Sequence, residues 1–371
     1  MILRSLETAN FRNLREAKIE FHPAANIFVG DNGQGKTNLL EAIYFLATTR
    51  SFRTSRVGHL ARIGAPHLFV EGEIVGADGL VRTQSVGLTT GVERRRELLV
   101  NGRKTTLHDY LGRLQVFAYS AARLAILRGG PEERRRFLDR GIASLRPAYL
   151  AESSRYNRVV KQRNALLPHI AEGKRRASEL DAWDRELVEA ALPVARARRI
   201  YAEAVAARAW EILEAHRYHL RQLRFVYRPN GFEEGIEAEA GLAALRRLRR
   251  RELGAGFTLW GPHRDSLEVL AGEEPAAEIL SSGETKMTVL FLKLAKVDLY
   301  RREREESPIF LLDDVDAELD LGIIERLLSY SADAIQRFTT SPKDAFFERF
   351  SIGPNRRFAV AEGGVSAVAE E

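Results

Sequence analysis

The spacing of apolar residues changes several times along the chain. Short apolar segments at residues 2–11, 17–21 and 26–29 are separated by polar turns and predict β-strands. Apolar side chains then recur at helical spacing over residues 36–48, and strand-like segments return between residues 68 and 100. The N-terminal part is therefore predicted to be β-rich and to contain one helix.

The middle of the chain has a different character. Residues 131–251 are rich in Ala, Leu, Glu and Arg and contain few runs of β-branched residues, which predicts helices. The apolar spacing forms no clean heptad, and Pro168 and Pro193 interrupt it, so a long coiled coil is not expected. This region is predicted to be a helical insertion.

Strands return after residue 254, followed by a helix over residues 282–300 and a strongly apolar strand over residues 308–312. Together with the β-rich beginning, this pattern predicts an α/β fold in which the insertion separates two halves of one unit. The expected boundaries are residues 1–130 and 252–371 for the two halves and 131–251 for the insertion.

Composition narrows the classes of protein. The 371 residues are 45% hydrophobic and 29% charged, which is ordinary for a globular protein with a sizeable core. There is no cysteine, which excludes disulfides and thiolate metal sites. Arg4 and Glu7 interrupt the first ten residues and no apolar run is long enough for a membrane span, so we expect no signal peptide, no membrane partner and a cytoplasmic location. The net charge of +6 favours polyanionic partners.

Residues 30–37 match the P-loop pattern G-x-x-x-x-G-K-[ST] between an apolar strand and an amphipathic helix. Glycines let backbone N–H groups surround phosphate oxygens, and the positive end of the helix faces the same anion. Lys36 is expected to reach the β- and γ-phosphates, and Thr37 to bind Mg²⁺. The alternative is a chance glycine-rich turn. The predicted nucleotide-binding residues are Gly30, Asp31, Asn32, Gly33, Gln34, Gly35, Lys36, Thr37 and Asn38.

Two carboxylates follow the apolar strand at residues 309–312, in the manner of a Walker B segment. Open α/β sheets place ligands at the carboxyl ends of their strands. Asp313 is therefore a candidate Mg²⁺ ligand, and Asp314 a candidate catalytic residue that orients or deprotonates the attacking water. The alternative is an acidic turn after a core strand.

A second small-residue turn, residues 280–284, precedes an apolar helix and could also hold an anion. The alternative is a helix N-cap, with Ser282 capping the first turn. Its position shortly before the Walker B strand is the layout of ATP-binding-cassette (ABC) proteins. The sequence thus predicts an ABC-type ATPase head with a mixed β-sheet and a P-loop, plus a helical second lobe inserted between its halves.

Several further blocks make the chain resemble the RecF family of recombination mediators, within the ABC group that includes SMC proteins. The resemblance covers most of the chain. The blocks that carry it are residues 10–14, 32–44, 50–53, 129–139, 162–164, 261–265 and 313–320.

The resemblance implies a split ATPase head that binds ATP with Mg²⁺, dimerises in an ATP-dependent manner and clamps double-stranded or gapped DNA. It further implies slow ATP hydrolysis stimulated by DNA, and work with RecO and RecR to load recombinase at gaps. It assigns Arg12 to the nucleotide site and Glu318 and Asp320 to the D-loop. Ser281, Ser282, Gly283 and Glu284 would form a signature that contacts the nucleotide of the partner protomer.

The sequence departs from the family pattern in places. Residues 282–285 are closer to the general ABC signature than to the glutamine-rich form usual in RecF proteins. The sequence does not decide the Q-loop residue, for which Gln115 and Ser120 are the candidates. No histidine follows the Walker B segment, where residues 339–341 read Thr-Thr-Ser, and His263 is either functional or a buried structural histidine.

Two arginine-rich patches are candidates for DNA contacts, because cations that neutralise phosphates release counterions. Solvated helix faces are the competing interpretation. The candidates are Arg134, Arg135 and Arg136 in one patch and Arg246, Arg247 and Arg250 in the other. Competing functions are another DNA-associated ABC or SMC-like ATPase, a P-loop kinase and the ATPase subunit of a transporter. The kinase does not account for residues 280–284 or 317–320.

Overall fold

The computed structural model describes residues 1–90, 95–120, 125–215, 223–232, 237–314, 322, 324, 335–342 and 353–370. The chain divides into two compact units, one formed by Met1–Leu124 with Ser282–Glu371 and the other by Ala125–Ser281. The second unit continues past residue 251, where the sequence predicted the insertion to end, because the strands and the short helix of residues 266–279 pack within it.

The strands, in chain order, are β1 (Ile2–Ala9), β2 (Ala17–Glu20), β3 (Ala25–Val29), β4 (His67–Val75), β5 (Val81–Thr89), β6 (Arg96–Val100), β7 (Arg103–Lys104), β8 (Val116–Tyr119), β9 (Leu223–Arg228), β10 (Ser266–Ala271), β11 (Glu274–Pro275), β12 (Ile309–Leu312), β13 (Arg337–Ser341), β14 (Asn355–Ala361) and β15 (Gly364–Glu370). The α-helices are α1 (Lys36–Thr48), α2 (Leu107–Tyr110), α3 (Ala125–Arg128), α4 (Pro131–Leu145), α5 (Tyr149–Ala171), α6 (Leu180–Ala215), α7 (Ala238–Ala255), α8 (Ala276–Ile279) and α9 (Ser282–Arg304). Among the described residues, no helix is both long and apolar enough to cross a membrane.

The central sheet of the first unit has the order β15-β14-β3-β13-β12-β8. Neighbouring strands from β14 to β8 run parallel, and among the described strands of this sheet only the β14–β15 pair is antiparallel. β12 is buried along its whole length, as expected for a strand covered on both faces. Because β3, β13 and β12 are adjacent and parallel, the residues that follow them meet at one edge of the sheet.

Helix α1 is buried on nearly every side. It packs against β8 and β13 of the central sheet and against β4 and β5 of a second sheet, which is antiparallel with the order β2-β1-β4-β5-β6-β7. Its apolar residues therefore occur all round the helix rather than on one stripe. The ring of Phe28, on the P-loop strand β3, stacks on Phe358 with centroids 4.9 Å apart, and Phe21 packs edge-on against Phe338 at 4.9 Å.

The second unit contains the sheet β11-β10-β9 and helices α3 to α8. Helix α6 runs through Pro193 and α5 continues through Pro168, so the two prolines that interrupt the apolar spacing both lie inside helices. Around Pro193 the flanking Ala191 and Val194 are buried, and their packing offsets the hydrogen bond that proline cannot donate.

Candidate nucleotide-binding site

The P-loop connects β3 to α1. Gly35 has a φ of 121°, a region that residues with a side chain rarely adopt, and a Cβ on Gly30 would overlap the carbonyl oxygen of Val360. The buried Lys36 ammonium donates to the carbonyl oxygens of Gly30 at 2.7 Å and Asp31 at 3.0 Å. The loop therefore curls around the cationic side chain that the motif predicts to neutralise phosphate.

The P-loop and the Walker B strand meet through side chains. The hydroxyl of Thr37 donates to Oδ1 of Asp313 at 2.9 Å, although the two residues are 276 positions apart. Thr340, at the end of β13, lies 3.0 Å from the same oxygen. The structure thus brings together the two residues for which the sequence predicted Mg²⁺ binding.

Burial and the neighbouring Asp314 charge raise the pKa of Asp313 from 3.8 to about 6, against the opposing hydrogen bonds from Thr37 and Thr340. A nearby cation would favour the ionised form. Mg²⁺ is usually held by one or two protein carboxylates together with phosphate and water oxygens. The carboxylate of Asp313 and the hydroxyl of Thr37 fit that donor set.

Asp314 lies beside Asp313 but is held differently. Its backbone adopts a left-handed φ of 47°, and its N–H donates to the hydroxyl of Thr340 at 2.8 Å. The Thr340 hydroxyl is also 3.5 Å from Oδ1 of Asp314. Thr340 therefore contacts both residues of the pair, a role that the sequence did not predict. The signal in the sequence was the polar run Thr-Thr-Ser at residues 339–341, after the Walker B segment.

Arg12 was assigned to the nucleotide site, and the structure shows its side chain paired with α1. Its guanidinium binds both carboxylate oxygens of the fully buried Glu41, at 3.0 and 3.1 Å. Ser51 also donates to Glu41. Asn38 donates to Asn13 Oδ1 at 2.7 Å. The described contacts of Arg12 and Asn38 thus join neighbouring segments to the P-loop helix.

The predicted signature lies at the start of α9. The helix begins at Ser282, so Ser281 is the residue before it, whereas the N-cap interpretation placed the cap at Ser282. Ser281, Ser282 and Gly283 are exposed, and a Cβ on Gly283 would meet no described atom within 4 Å. The predicted D-loop residues Glu318 and Asp320 lie outside the described residues.

The structure bears on two assignments that the sequence left open, the Q-loop residue and the role of His263. Asp313 follows β12, and β8 runs parallel beside β12. The buried Ser120 follows β8 and so lies at the same edge of the sheet as Asp313, whereas Gln115 precedes β8 and lies at the opposite edge. His263 accepts from the Tyr156 hydroxyl at 2.6 Å and donates to the carbonyl oxygen of Thr258 at 3.0 Å. Burial lowers the pKa of His263 to about 4, which fits a neutral structural histidine.

The two arginine patches differ in their partners. In α4, Arg136 pairs with Glu132 and Glu133 at 2.5 and 2.6 Å, while Arg134 and Arg135 donate to backbone carbonyls. In α7, three exposed arginines make no ion pair with any described residue. They are Arg246, Arg247 and Arg250. The α7 face is therefore the more available cationic surface.

Comparison with known proteins agrees with this architecture. Residues 2–360 match the family model described as RecF/RecN/SMC N terminal domain. A "DNA replication and repair protein RecF" from Lactococcus lactis subsp. cremoris is 34% identical, covering 92% of each chain, and one from Acidothermus cellulolyticus is 35% identical, covering 98% of this chain and 99% of the relative.

Among solved structures, a "recombination mediator protein RecF-ATP in RecFOR pathway" matches with a TM-score of 0.90 and 27% identity, covering 99% of this chain and 98% of that one. An Smc head bound to the C-terminal winged-helix domain of ScpA matches with a TM-score of 0.56 and 17% identity over 99% of this chain and 98% of that one, which shows a shared fold.

The fold and the site define an ABC-type ATPase head. Within that class, the chain belongs to the RecF family, whose members are named DNA replication and repair proteins.

Proposed function

We propose that this protein acts in DNA replication and repair by binding ATP and Mg²⁺ at the P-loop, dimerising over the nucleotide and holding DNA. The observation that carries the proposal is the 2.9 Å hydrogen bond from Thr37 to Asp313, which joins the P-loop to the Walker B strand. The similar solved structures are of RecF with ATP and RecF with an ATP analogue.

The chemistry follows from the positions of the side chains. Lys36 neutralises phosphate charge from the centre of the loop, and Thr37 and Asp313 hold the metal. The bound metal supplies Lewis-acid stabilisation of charge on the phosphate oxygens. Asp314, fixed by its N–H bond to Thr340, orients the attacking water and accepts its proton.

The proposal includes a composite site in a symmetric dimer. Ser281, Ser282, Gly283 and Glu284 lie at the N-terminal end of α9, where helix N–H groups and the helix dipole favour an anion. In a C₂ dimer such a segment faces the partner's P-loop. Two contacts on one triphosphate give ATP a higher affinity for the dimer than for the monomer.

The dimer can be tested by complementation. Lys36→Met and Ser281→Arg should each abolish ATPase activity alone. In a mixed dimer one site carries both defects and the other carries none, so about a quarter of wild-type activity should return after random exchange. Mixed dimers that form by size measurement but remain inactive would contradict a composite site that works singly.

DNA binding is supported by the net charge of +6 and by the three exposed arginines of α7 that make no ion pair with a described residue. The proposal includes slow, DNA-stimulated hydrolysis, cooperation with RecO and RecR, and a cytoplasmic location with the DNA. The similar solved structure is of a RecF protein in the RecFOR pathway.

Filter binding on gapped DNA, with and without ATP, tests the ATP-dependent DNA binding in this proposal. We expect ATP-dependent binding whose affinity falls by orders of magnitude as the salt concentration rises about fourfold. Lys36→Met should remove the ATP dependence. Binding that responds to neither ATP nor salt would contradict the clamp.

A further inference from the structure

The turn between β14 and β15 lies against the P-loop. Glu362 and Gly363 form this two-residue turn with φ values of 47° and 76°, as in a type I′ hairpin. The N–H of Gly363 donates to the carbonyl oxygen of Gln34 at 2.8 Å, and the N–H of Glu362 donates to the Gln34 side chain at 2.6 Å. The hairpin thus holds one P-loop residue by both its backbone and its side chain.

A third segment, which contains Asn13 and Arg15, bonds to both the P-loop and the hairpin. The amide of Asn13 donates to the carbonyl oxygen of Gln34 at 3.3 Å, and the N–H of Arg15 donates to the carbonyl oxygen of Gly363 at 2.8 Å. A Cβ on Gly363 would overlap the carbonyl oxygen of Asn13. The three segments are therefore packed so closely that only glycine fits at the tip of the hairpin.

These bonds orient the peptide unit between Gln34 and Gly35. In a trans peptide the C=O and the N–H point in opposite directions, and the described chain contains no cis peptide. Because the carbonyl of Gln34 is held toward the hairpin and Asn13, the N–H of Gly35 points away from them. Backbone N–H groups are what a P-loop offers to phosphate, and ordering them beforehand lowers the cost of binding.

We propose that Gly363, Glu362 and Asn13 are positioning residues that hold Gln34 and keep the P-loop ordered for nucleotide. The inference rests on the proposed ATP binding. Since Asp313 and Asp314 follow a different strand, β12, disturbing the hairpin tip should weaken ATP binding and leave turnover at saturating ATP unchanged. A purely structural role would lower stability without this separation of KM from kcat.

The test compares Gly363→Ala with Gly353→Ala. Gly353 precedes β14, has nearly the same φ of 74°, and a Cβ there would meet no described atom within 4 Å. Both substitutions carry the same left-handed backbone strain, but only Gly363→Ala pushes against Asn13. We expect the ATP dissociation constant to rise at least about tenfold in Gly363→Ala, the scale of lost loop hydrogen bonds, and to stay within about twofold of wild type in Gly353→Ala.

A milder variant keeps the inference testable if Gly363→Ala does not fold. Gln34→Met keeps the length of the side chain but removes the acceptor for the Glu362 N–H, and should weaken ATP binding about threefold to tenfold. Fluorescent-ATP titration, steady-state kinetics and thermal melting are measured for every variant. Wild-type affinity in Gln34→Met, or equal ATP affinity in folded Gly363→Ala and Gly353→Ala, overturns the inference. Absence of ATP binding by the wild-type protein would instead overturn the proposed function.

Discussion

Two buried polar clusters, one in each unit, are compensated to different degrees. In the second unit the fully buried guanidinium of Arg163 bonds Asp184 at 2.9 Å, Glu252 at 2.5 Å and the hydroxyl of Thr258 at 2.9 Å. In the first unit the hydrogen bonds that Asp313 accepts from described residues come from the neutral hydroxyls of Thr37 and Thr340, and Asp314 adds a second negative charge.

This difference distinguishes a buried polar cluster that stabilises the fold from one that serves nucleotide binding. A buried cation whose partners are opposite charges stabilises a fixed arrangement once formed. A buried carboxylate whose pKa is raised to about 6 is incompletely compensated and favours the arrival of a cation. The first cluster is therefore expected to govern stability, and the second to govern nucleotide chemistry.

Removing Arg163 should have the largest effect. Arg163→Met leaves Glu252 buried without its cation and leaves Asp184 paired with Arg249 alone, and should lower the free energy of unfolding by about 3–5 kcal/mol. Arg155→Met is the control, because Arg155 lies on the same helix but pairs with Glu186 at the surface. Its cost should be below about 1 kcal/mol in urea titration. Equal losses in the two variants would contradict the comparison.

Asp314→Asn should slow ATP hydrolysis by roughly 10²-fold or more, the usual scale for a lost general base, with ATP binding largely retained. Single-turnover kinetics and nucleotide titration separate the two effects. The ATP-bound dimer should then accumulate. Loss of ATP binding in this variant would show that Asp314, rather than Asp313, is the metal ligand.

The raised pKa of Asp313 predicts a pH dependence of stability in the protein without nucleotide or Mg²⁺. Between about pH 4 and pH 6 the folded protein holds a proton that the unfolded chain has released, so this contribution to stability falls as pH rises through that window. Asp313→Asn should remove it and be more stable than wild type by about 1–3 kcal/mol at pH 7. Melting curves with the same pH slope in both proteins would argue against the shift.

Thr340→Val should have the smallest effect. The variant removes the hydroxyl that contacts both carboxylates, and should lower turnover about threefold to tenfold, as expected for one lost hydrogen bond. Thr339→Val is the matched control on the neighbouring position of β13, which points to the other face of the sheet. If both variants turn over ATP equally, Thr340 does not position the pair.

The sequence predicted the parts of the site that are encoded locally. The P-loop and Walker B segments each combine a buried strand with the polar residues that follow it, so their chemistry can be read without knowledge of the fold. The α/β class and the RecF family followed from these motifs and their order, and the comparisons confirm both.

What the sequence could not supply were contacts set by topology. Thr340 becomes part of the site only because β13 lies between β3 and β12. Arg12 matched a family block, but its buried partner Glu41 depends on how the first turn packs against α1. The end of the second unit was misplaced because β10 reads as a strand of the head, whereas it pairs with β9 inside the second unit.

The order of strands in the central sheet has a consequence for how the protein is made. Both neighbours of β3, the strands β13 and β14, lie more than 300 positions later in the chain. During synthesis the P-loop therefore emerges from the ribosome long before the strands that flank it. The helices of the second unit make local contacts and can fold first, whereas β3 must wait, because long-range parallel pairing is slow to form. The nucleotide site can therefore be completed only after β13 and β14 have been synthesised, although the P-loop itself is among the first segments of the chain.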